Sequence, residues 1–418
     1  MKSFSFQNKE LHAESVLVTD LMEEYGSPLY IYSKNQIEFN WKKLDNSFGA
    51  QSHLICYAVK ANSNLAVLNI LAKLGSGFDV VSIGELERVI AAGGKSNLCV
   101  FSGVAKTRSS IRKALEYGIH CFNIESASEL KLIENIASDL GIQAPISIRV
   151  NPNVDAKTHP YISTGLTENK FGVSPSIALS LYKKASRSKH LNLCGLDYHI
   201  GSQITDVLPF MEALEKALDL INDLKAENIN LSHIDIGGGI GVEYNNEKTI
   251  DIENYIQSVI NMVGDLKIII EPGRSIVGDA GIFVTKVEHL KQNDSKSFAI
   301  IDGAMNDLIR PALYGSYHNV VKVRDNNDGV NASWDIVGPV CETADFLAKD
   351  RKLNLKEGDY IAIMTAGAYG FVLSSNYNSR PRVAEVMVSG DSHGVIRKRE
   401  TIELLFDNEL IFKNETNK

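Results

Sequence analysis

From residue 53 to residue 271 the chain alternates short apolar runs with longer stretches in which apolar positions recur every three or four residues. The runs are HLICYAV (53–59), FDVVS (78–82), NLCVF (97–101), HCFNI (120–124), ISIRV (146–150), CGLDYHI (194–200), HIDI (233–236) and KIIIE (267–271). Their length and β-branched content predict eight strands. The stretches between them, such as GELERVIAAGG and MEALEKALDLINDLKAENI, have helical periodicity with Gly or Asn near their ends. Eight βα repeats predict an α/β fold whose parallel sheet closes into a (β/α)₈ TIM-type barrel. Past about residue 280 the period falls to two, in GIFVTKVEHL, KSFAIID, WDIVG, DYIAIM, RVAEVMV and GVIRKRE. This predicts a C-terminal β-rich domain, a sandwich or a barrel, with LYIYS at 29–33 as a candidate strand of it. The expected division is a barrel over 34–280 and a β-rich domain from 1–33 and 281–418.

Composition narrows the function classes. At 418 residues, with 44% hydrophobic and 22% charged positions, the chain can bury more than one hydrophobic core. A net charge of −8 and the lack of a long Lys/Arg run argue against a nucleic-acid surface. The N-terminus MKSFSFQNKELHAESVLVTD has no continuous apolar segment. Nowhere is there a run of about 18 apolar residues, so a cytoplasmic protein without membrane association is expected. The five cysteines (Cys56, Cys99, Cys121, Cys194, Cys341) lack CxxC spacing and read as reduced thiols, with no metal centre expected. The first four lie in apolar runs and read as core thiols.

In a barrel of this kind the C-terminal strand ends converge on one face, and here those ends are polar. Strand one ends in Lys60 (YAVKAN), strand two carries Asp79 and Ser82, and strand five Arg149 and Asn151. Strand six ends in His199 with Ser202 beyond, strand seven in Asp235 and Gly237-Gly238-Gly239, and strand eight in Glu271, Gly273 and Arg274. A lysine at the barrel mouth either caps the strand toward water or, desolvated, loses its proton more easily and attacks an aldehyde. The glycines of HIDIGGGIG can close backbone N–H groups around a phosphate. Phosphate is often bound after strands seven and eight, whereas a dinucleotide fingerprint would read GxGxxG near the first strand. Glu271 ends the most apolar strand and needs a cationic partner, either Arg274 or a pyridinium nitrogen. His199 is either a satisfied core histidine or a ring stacked on a cofactor, with Ser202 as a donor to phosphate.

Taken together, YAVKAN, HIGSQ, DIGGGIG and EPGRS resemble the barrel-type, fold type III pyridoxal-phosphate decarboxylases of amino acids. Later motifs bring the chain nearest the group acting on diaminopimelate, and the resemblance runs from about residue 28 to residue 390. It implies pyridoxal 5′-phosphate as cofactor. Lys60 is implied as the lysine that binds it and His199 as the stacked ring. Asp79, Ser202, Gly238, Gly239, Gly273, Arg274 and Tyr369 are further cofactor contacts, and Glu271 is the pyridinium partner. In DGAMNDLIRPALYGSYH, Arg310 and Tyr314 match positions that grip the distal end of the substrate; without the resemblance they read equally as helix neighbours four apart. In VGPVCETADFLAKD, Cys341 matches the proton donor and Glu342 a substrate ligand, although the local run alone suggests a buried strand-end thiol. Arg274 and Tyr369 also face substrate, and residues 151–172 resemble the family's mobile active-site loop. The implied assembly is a homodimer with shared active sites.

The implied reaction is loss of CO₂ from meso-2,6-diaminopimelate to give L-lysine. The distal end of that substrate carries both charges, which Arg274 with Arg310 and Glu342 can meet. Related decarboxylases of ornithine, arginine or carboxynorspermidine are the nearest alternatives, and the first two substrates offer no distal carboxylate to an arginine pair. Alanine racemases share the architecture but place a cation at the pyridine nitrogen. A cofactor carrier without chemistry would need neither Cys341 nor Glu342.

Overall fold

A computed structural model describes residues 3–155 and 169–412. The chain forms two compact units, one from Lys34–Ala280 with Gly367–Val372 and one from Met1–Ser33, Gly281–Ala366 and Leu373–Lys418. Among the described residues no helix is long and apolar enough to cross a membrane.

In the first unit all eight predicted strands form: His53–Ala58, Gly77–Val80, Cys99–Phe101, Cys121–Ile124, Ala144–Arg149, Leu191–Asp197, His233–Asp235 and Lys267–Ile270. They pair in parallel and in sequence order, and strand eight closes on strand one through Ile268–Ile270 against His53–Ile55. Near-continuous apolar runs suit strands covered on both faces. Cys56, Val100, Cys121 and Ile269 fill part of the interior. Cys99 is buried as well, while Cys194 is only half-buried.

The turns that lead from strand to helix are capped by their own side chains. Ser82, Thr107, Ser126, Ser174 and Asp251 each accept from the backbone N–H three residues on, and Asn64 from the one two residues on. Ser82 and Ser126 sit in capping boxes, in which Glu85 and Glu129 reach back to the N–H of Val81 and Glu125. Ser82 therefore serves the helix that follows it. Strand eight is followed only by the four-residue helix Arg274–Val277. The long helix that packs between Leu65–Lys73 and Ile252–Val263 is Lys34–Ser47, which precedes strand one.

The second unit is a mixed β-sheet structure organised on one 12-residue strand, Gly281–Gln292. Its first half pairs antiparallel with Leu29–Ser33 and Tyr360–Ile363, and its second half with Ser297–Ile301. The register slips between Val287 and His289, which lets one strand leave one sheet and enter another. Leu29–Ser33 is a central strand, flanked on its other side by a parallel Ala384–Ser389, and all five of its residues are buried. Leu29, Ile31, Ile282, Val284, Val386 and Val388 share the core. Phe346–Leu355, outside the runs read from sequence, pairs antiparallel with Val330–Val337.

Candidate active site

The barrel unit gathers its polar strand ends into one cluster. Lys60 follows strand one on a short turn, and its Nζ lies 2.5 Å from Asp79 Oδ2, with Asp79 fully buried. Burial pushes the Lys60 amine down, but Asp79 and, further off, Glu271 and Tyr369 push it up more strongly, and the net shift is upward. Lys60 is therefore held as an ammonium. Desolvation, which favours the free amine, is thus opposed by the paired carboxylate of Asp79.

Glu271, just past strand eight, is buried and accepts from Asn123 Nδ2 at 3.4 Å. One carboxylate oxygen each from Asp197, Asp235 and Glu271 lies within 4.8 Å of the others. Burial first, then Asp235, Asp79 and Asp197, raise the Glu271 carboxyl well above the usual carboxylate range. Asp235 stands at about 7, raised by burial and held back by the Gly237 N–H. Asp197 is raised by burial and by Asp235, against Arg149, whose Nε is 3.8 Å away. Arg149 also pairs with Glu125 Oε1 at 3.3 Å. Five buried carboxyl groups, those of Asp79, Glu125, Asp197, Asp235 and Glu271, thus stand around two cations, Lys60 and Arg149. Asp79 Oδ1, Asp197 Oδ1 and Asp235 Oδ2 have no hydrogen-bond partner among the described residues.

The glycine loop is fixed by contacts that exclude side chains. Gly237 and Gly239 have φ of 65° and 106°. A Cβ on Gly238 would lie 2.1 Å from Glu271 O, and one on Gly239 2.4 Å from Gly201 O. Gly238 N–H donates to His199 Nδ1 at 3.0 Å, so the proton of the neutral ring sits on Nε2. Burial, Arg149 and Lys60 hold His199 well below its ordinary value, which keeps it neutral at pH 7. Gly273 lets its loop approach strand one, since a Cβ there would stand 3.1 Å from Ala58 Cβ.

Arg274 is not the partner of Glu271; among the described residues the two form no ion pair. Its guanidinium donates to Tyr244 Oη at 2.7 Å and to Ser202 Oγ at 3.1 Å, and lies 5.0 Å from the centroid of the Tyr369 ring. Its Nε is buried and has no partner among the described residues. Tyr369, at φ 55°, donates its backbone N–H to Ala61 O.

These features fit pyridoxal phosphate. An excess of buried carboxylate calls for a cation such as a protonated ring nitrogen. A glycine loop beside Ser202 and an incompletely satisfied arginine suits a phosphate. The residues that sequence reading missed here are Asn123, Glu125, Asp197 and Tyr244.

The β-rich unit holds the other expected residues. Arg310 is buried, not a surface neighbour of Tyr314. It donates to His318 Nε2 at 2.9 Å and to Ser316 Oγ at 3.4 Å, while His318 Nδ1 donates to Met364 O. Tyr314 is half-buried at the end of the same short helix, Arg310–Tyr314. Cys341 is an exposed thiol beyond the strand Val330–Val337, not a buried strand-end residue. Glu342 beside it accepts from Tyr377 Oη at 2.7 Å. Most of the expected mobile loop, residues 156–168, lies outside the described residues.

Comparison with known proteins agrees with this geometry. The family described as "Pyridoxal-dependent decarboxylase, pyridoxal binding domain" matches residues 34–278. The diaminopimelate decarboxylase of Pseudomonas aeruginosa is 51% identical over 98% of this chain and 99% of its own length. That of Haemophilus influenzae is 53% identical over 97% and 99%. The crystal structure of the Helicobacter pylori diaminopimelate decarboxylase complexed with L-lysine is 46% identical, covers 94% of this chain and 98% of its own, and superposes with a TM-score of 0.91. Identity at this level over whole chains, together with a family match that covers the barrel, means that the chain belongs to the diaminopimelate decarboxylases, within the pyridoxal-dependent decarboxylase family.

Proposed function

We propose that this chain is a carboxy-lyase that converts meso-2,6-diaminopimelate to L-lysine and CO₂, the last step of lysine biosynthesis, as a cytoplasmic homodimer with shared active sites. The observation that carries the reading is the surplus of buried carboxylate at Glu271, beside the Lys60–Asp79 pair and the glycine loop. Pyridoxal phosphate, when bound, supplies an aldehyde that takes up a primary amine and a ring that accepts the electron pair left by departing CO₂.

The chain's residues do the rest. Lys60 receives the aldehyde end, and Asp79 Oδ2, which accepts from its Nζ, positions the amine. Neutral His199 offers a flat ring face, and Glu271 holds a proton at the ring nitrogen. Gly238, Gly239, Ser202, Gly273, Arg274 and Tyr369 serve the phosphate side. Cys341 Sγ delivers a proton to the carbon that has lost CO₂. Arg274 and Arg310, with Tyr314, take the distal carboxylate, and Glu342 takes the distal ammonium. The barrel over 34–280 binds the cofactor and the β-rich remainder supplies Arg310, Cys341 and Glu342.

CO₂ release tests the substrate assignment, with purified protein, pyridoxal phosphate and either meso-diaminopimelate, ornithine or arginine. Diaminopimelate is expected to be the strongly preferred substrate, and preference for either of the others would overturn the reading. Glu271→Gln is expected to lower kcat on the order of 100-fold while leaving the cofactor's Kd nearly unchanged. A neutral amide cannot hold the ring proton, whereas the phosphate contacts remain. Equal losses in turnover and cofactor affinity would assign Glu271 a structural role only.

A further inference from the structure

The two residues that the proposed reaction draws from the exposed surface of the β-rich unit, Cys341 and Glu342, are both held by one short segment. Tyr377 Oη donates to Glu342 Oε1 at 2.7 Å, and the Cys341 backbone N–H donates to Asn378 Oδ1 at 2.8 Å. Consecutive residues thus fix consecutive residues. Asn378 and Ser379 make this possible by adopting φ of 55° and 53°. Asn tolerates that region because its short polar side chain can hydrogen-bond locally.

Tyr377 is 43% exposed, so its ring is not consumed in filling a core. Its hydroxyl has a stated partner, and that partner is a carboxylate assigned here to substrate recognition. An exposed glutamate samples several rotamers, and ordering it when a ligand arrives costs binding free energy. A hydroxyl that already holds one carboxylate oxygen removes part of that cost.

We infer that Tyr377 is a positioning residue for substrate specificity, whose hydroxyl fixes Glu342 Oε1 and directs Oε2 toward the distal ammonium of the substrate. The inference rests on the reading of Glu342 given above. It makes this hydroxyl a determinant of which amino acids are accepted: those with a second amine gain from it, and those without one do not.

The test uses the holoenzyme and the variants Tyr377→Phe, Glu342→Gln and the double variant. Three quantities are measured for each: KM and kcat for meso-diaminopimelate, the inhibition constant of L-lysine, and that of 2-aminopimelate, which lacks the distal amine. Tyr377→Phe is expected to raise KM and the L-lysine constant about five- to tenfold, the loss of one hydrogen bond's worth of binding. The change in kcat should stay within about twofold, and 2-aminopimelate should bind as before. In the Glu342→Gln background the same substitution should add nothing further. A parallel rise for all three ligands would reduce Tyr377 to a scaffold and overturn the inference. So would an unchanged KM in Tyr377→Phe when Glu342→Gln raises it. If Glu342→Gln itself leaves KM unchanged, the reading of Glu342 fails first and the inference falls with it.

Discussion

Lys60→Ala is expected to abolish covalent attachment of the cofactor, with its visible absorbance, and to lower kcat on the order of 10⁴-fold or more. The amine at the mouth of strand one is the nucleophile proposed for the aldehyde, and among the described residues the barrel offers no ready substitute. Lys106, a buried lysine after strand three, is committed to Glu129 Oε1 at 2.6 Å and to the carbonyls of Gly103 and Asn123. Borohydride reduction followed by peptide mass mapping checks the assignment. A reducible adduct that survives in the variant would move the attachment to another lysine.

Mixing two inactive variants, Lys60→Ala and Cys341→Ala, is expected to restore about a quarter of wild-type activity. Cys341 and Glu342 are exposed in the single chain, which suits groups that act on a site formed with a second copy. Random reassortment at equal amounts makes about half the dimers mixed, and each of these holds one site with both residues intact. If both residues of a site came from the same chain, no mixed dimer would contain an intact site. Absence of recovery, with subunit exchange verified by a tag-based pull-down, would reject the shared site and leave the decarboxylase assignment untouched.

The eight strands were legible because the barrel strands are largely buried on both faces and so read as nearly unbroken apolar runs. Lys60, His199 and Glu271 stood out because a charged or titratable residue ends such a run. Asp197 carried the same signal inside CGLDYHI, aligned with Asp235 on the next strand, but an acid within a run attracts less notice than one at its end. Asn123 and Glu125 were hidden for a different reason: their importance lies in which strand ends they reach, and that is set by closure of the sheet. The charge state of Lys60 was not legible, because it depends on how closely Asp79 of the neighbouring strand approaches its amine. Phe346–Leu355 escaped because its four consecutive charges, Lys349 to Lys352, mask the alternation expected of a strand. Lys34–Ser47 reads as an ordinary amphipathic helix, and nothing local says that it fills the place of an eighth barrel helix.

The segmentation of the β-rich unit has a consequence for synthesis. Leu29–Ser33 leaves the ribosome early, yet its two neighbours, Gly281–Gln292 and Ala384–Ser389, are made roughly 250 and 350 residues later. At a translation rate of about 5–20 residues per second, the interval before the first neighbour emerges is roughly 12–50 s. During that time a segment that is fully buried in the finished fold has both of its hydrogen-bonding edges unmatched, while most of the barrel sequence is already available to fold. The nascent chain therefore carries an adhesive edge, and crowded polysomes bring many copies of it together. Late pairing of residues 29–33 is thus imposed by the order of the gene, independent of how stable the finished enzyme is.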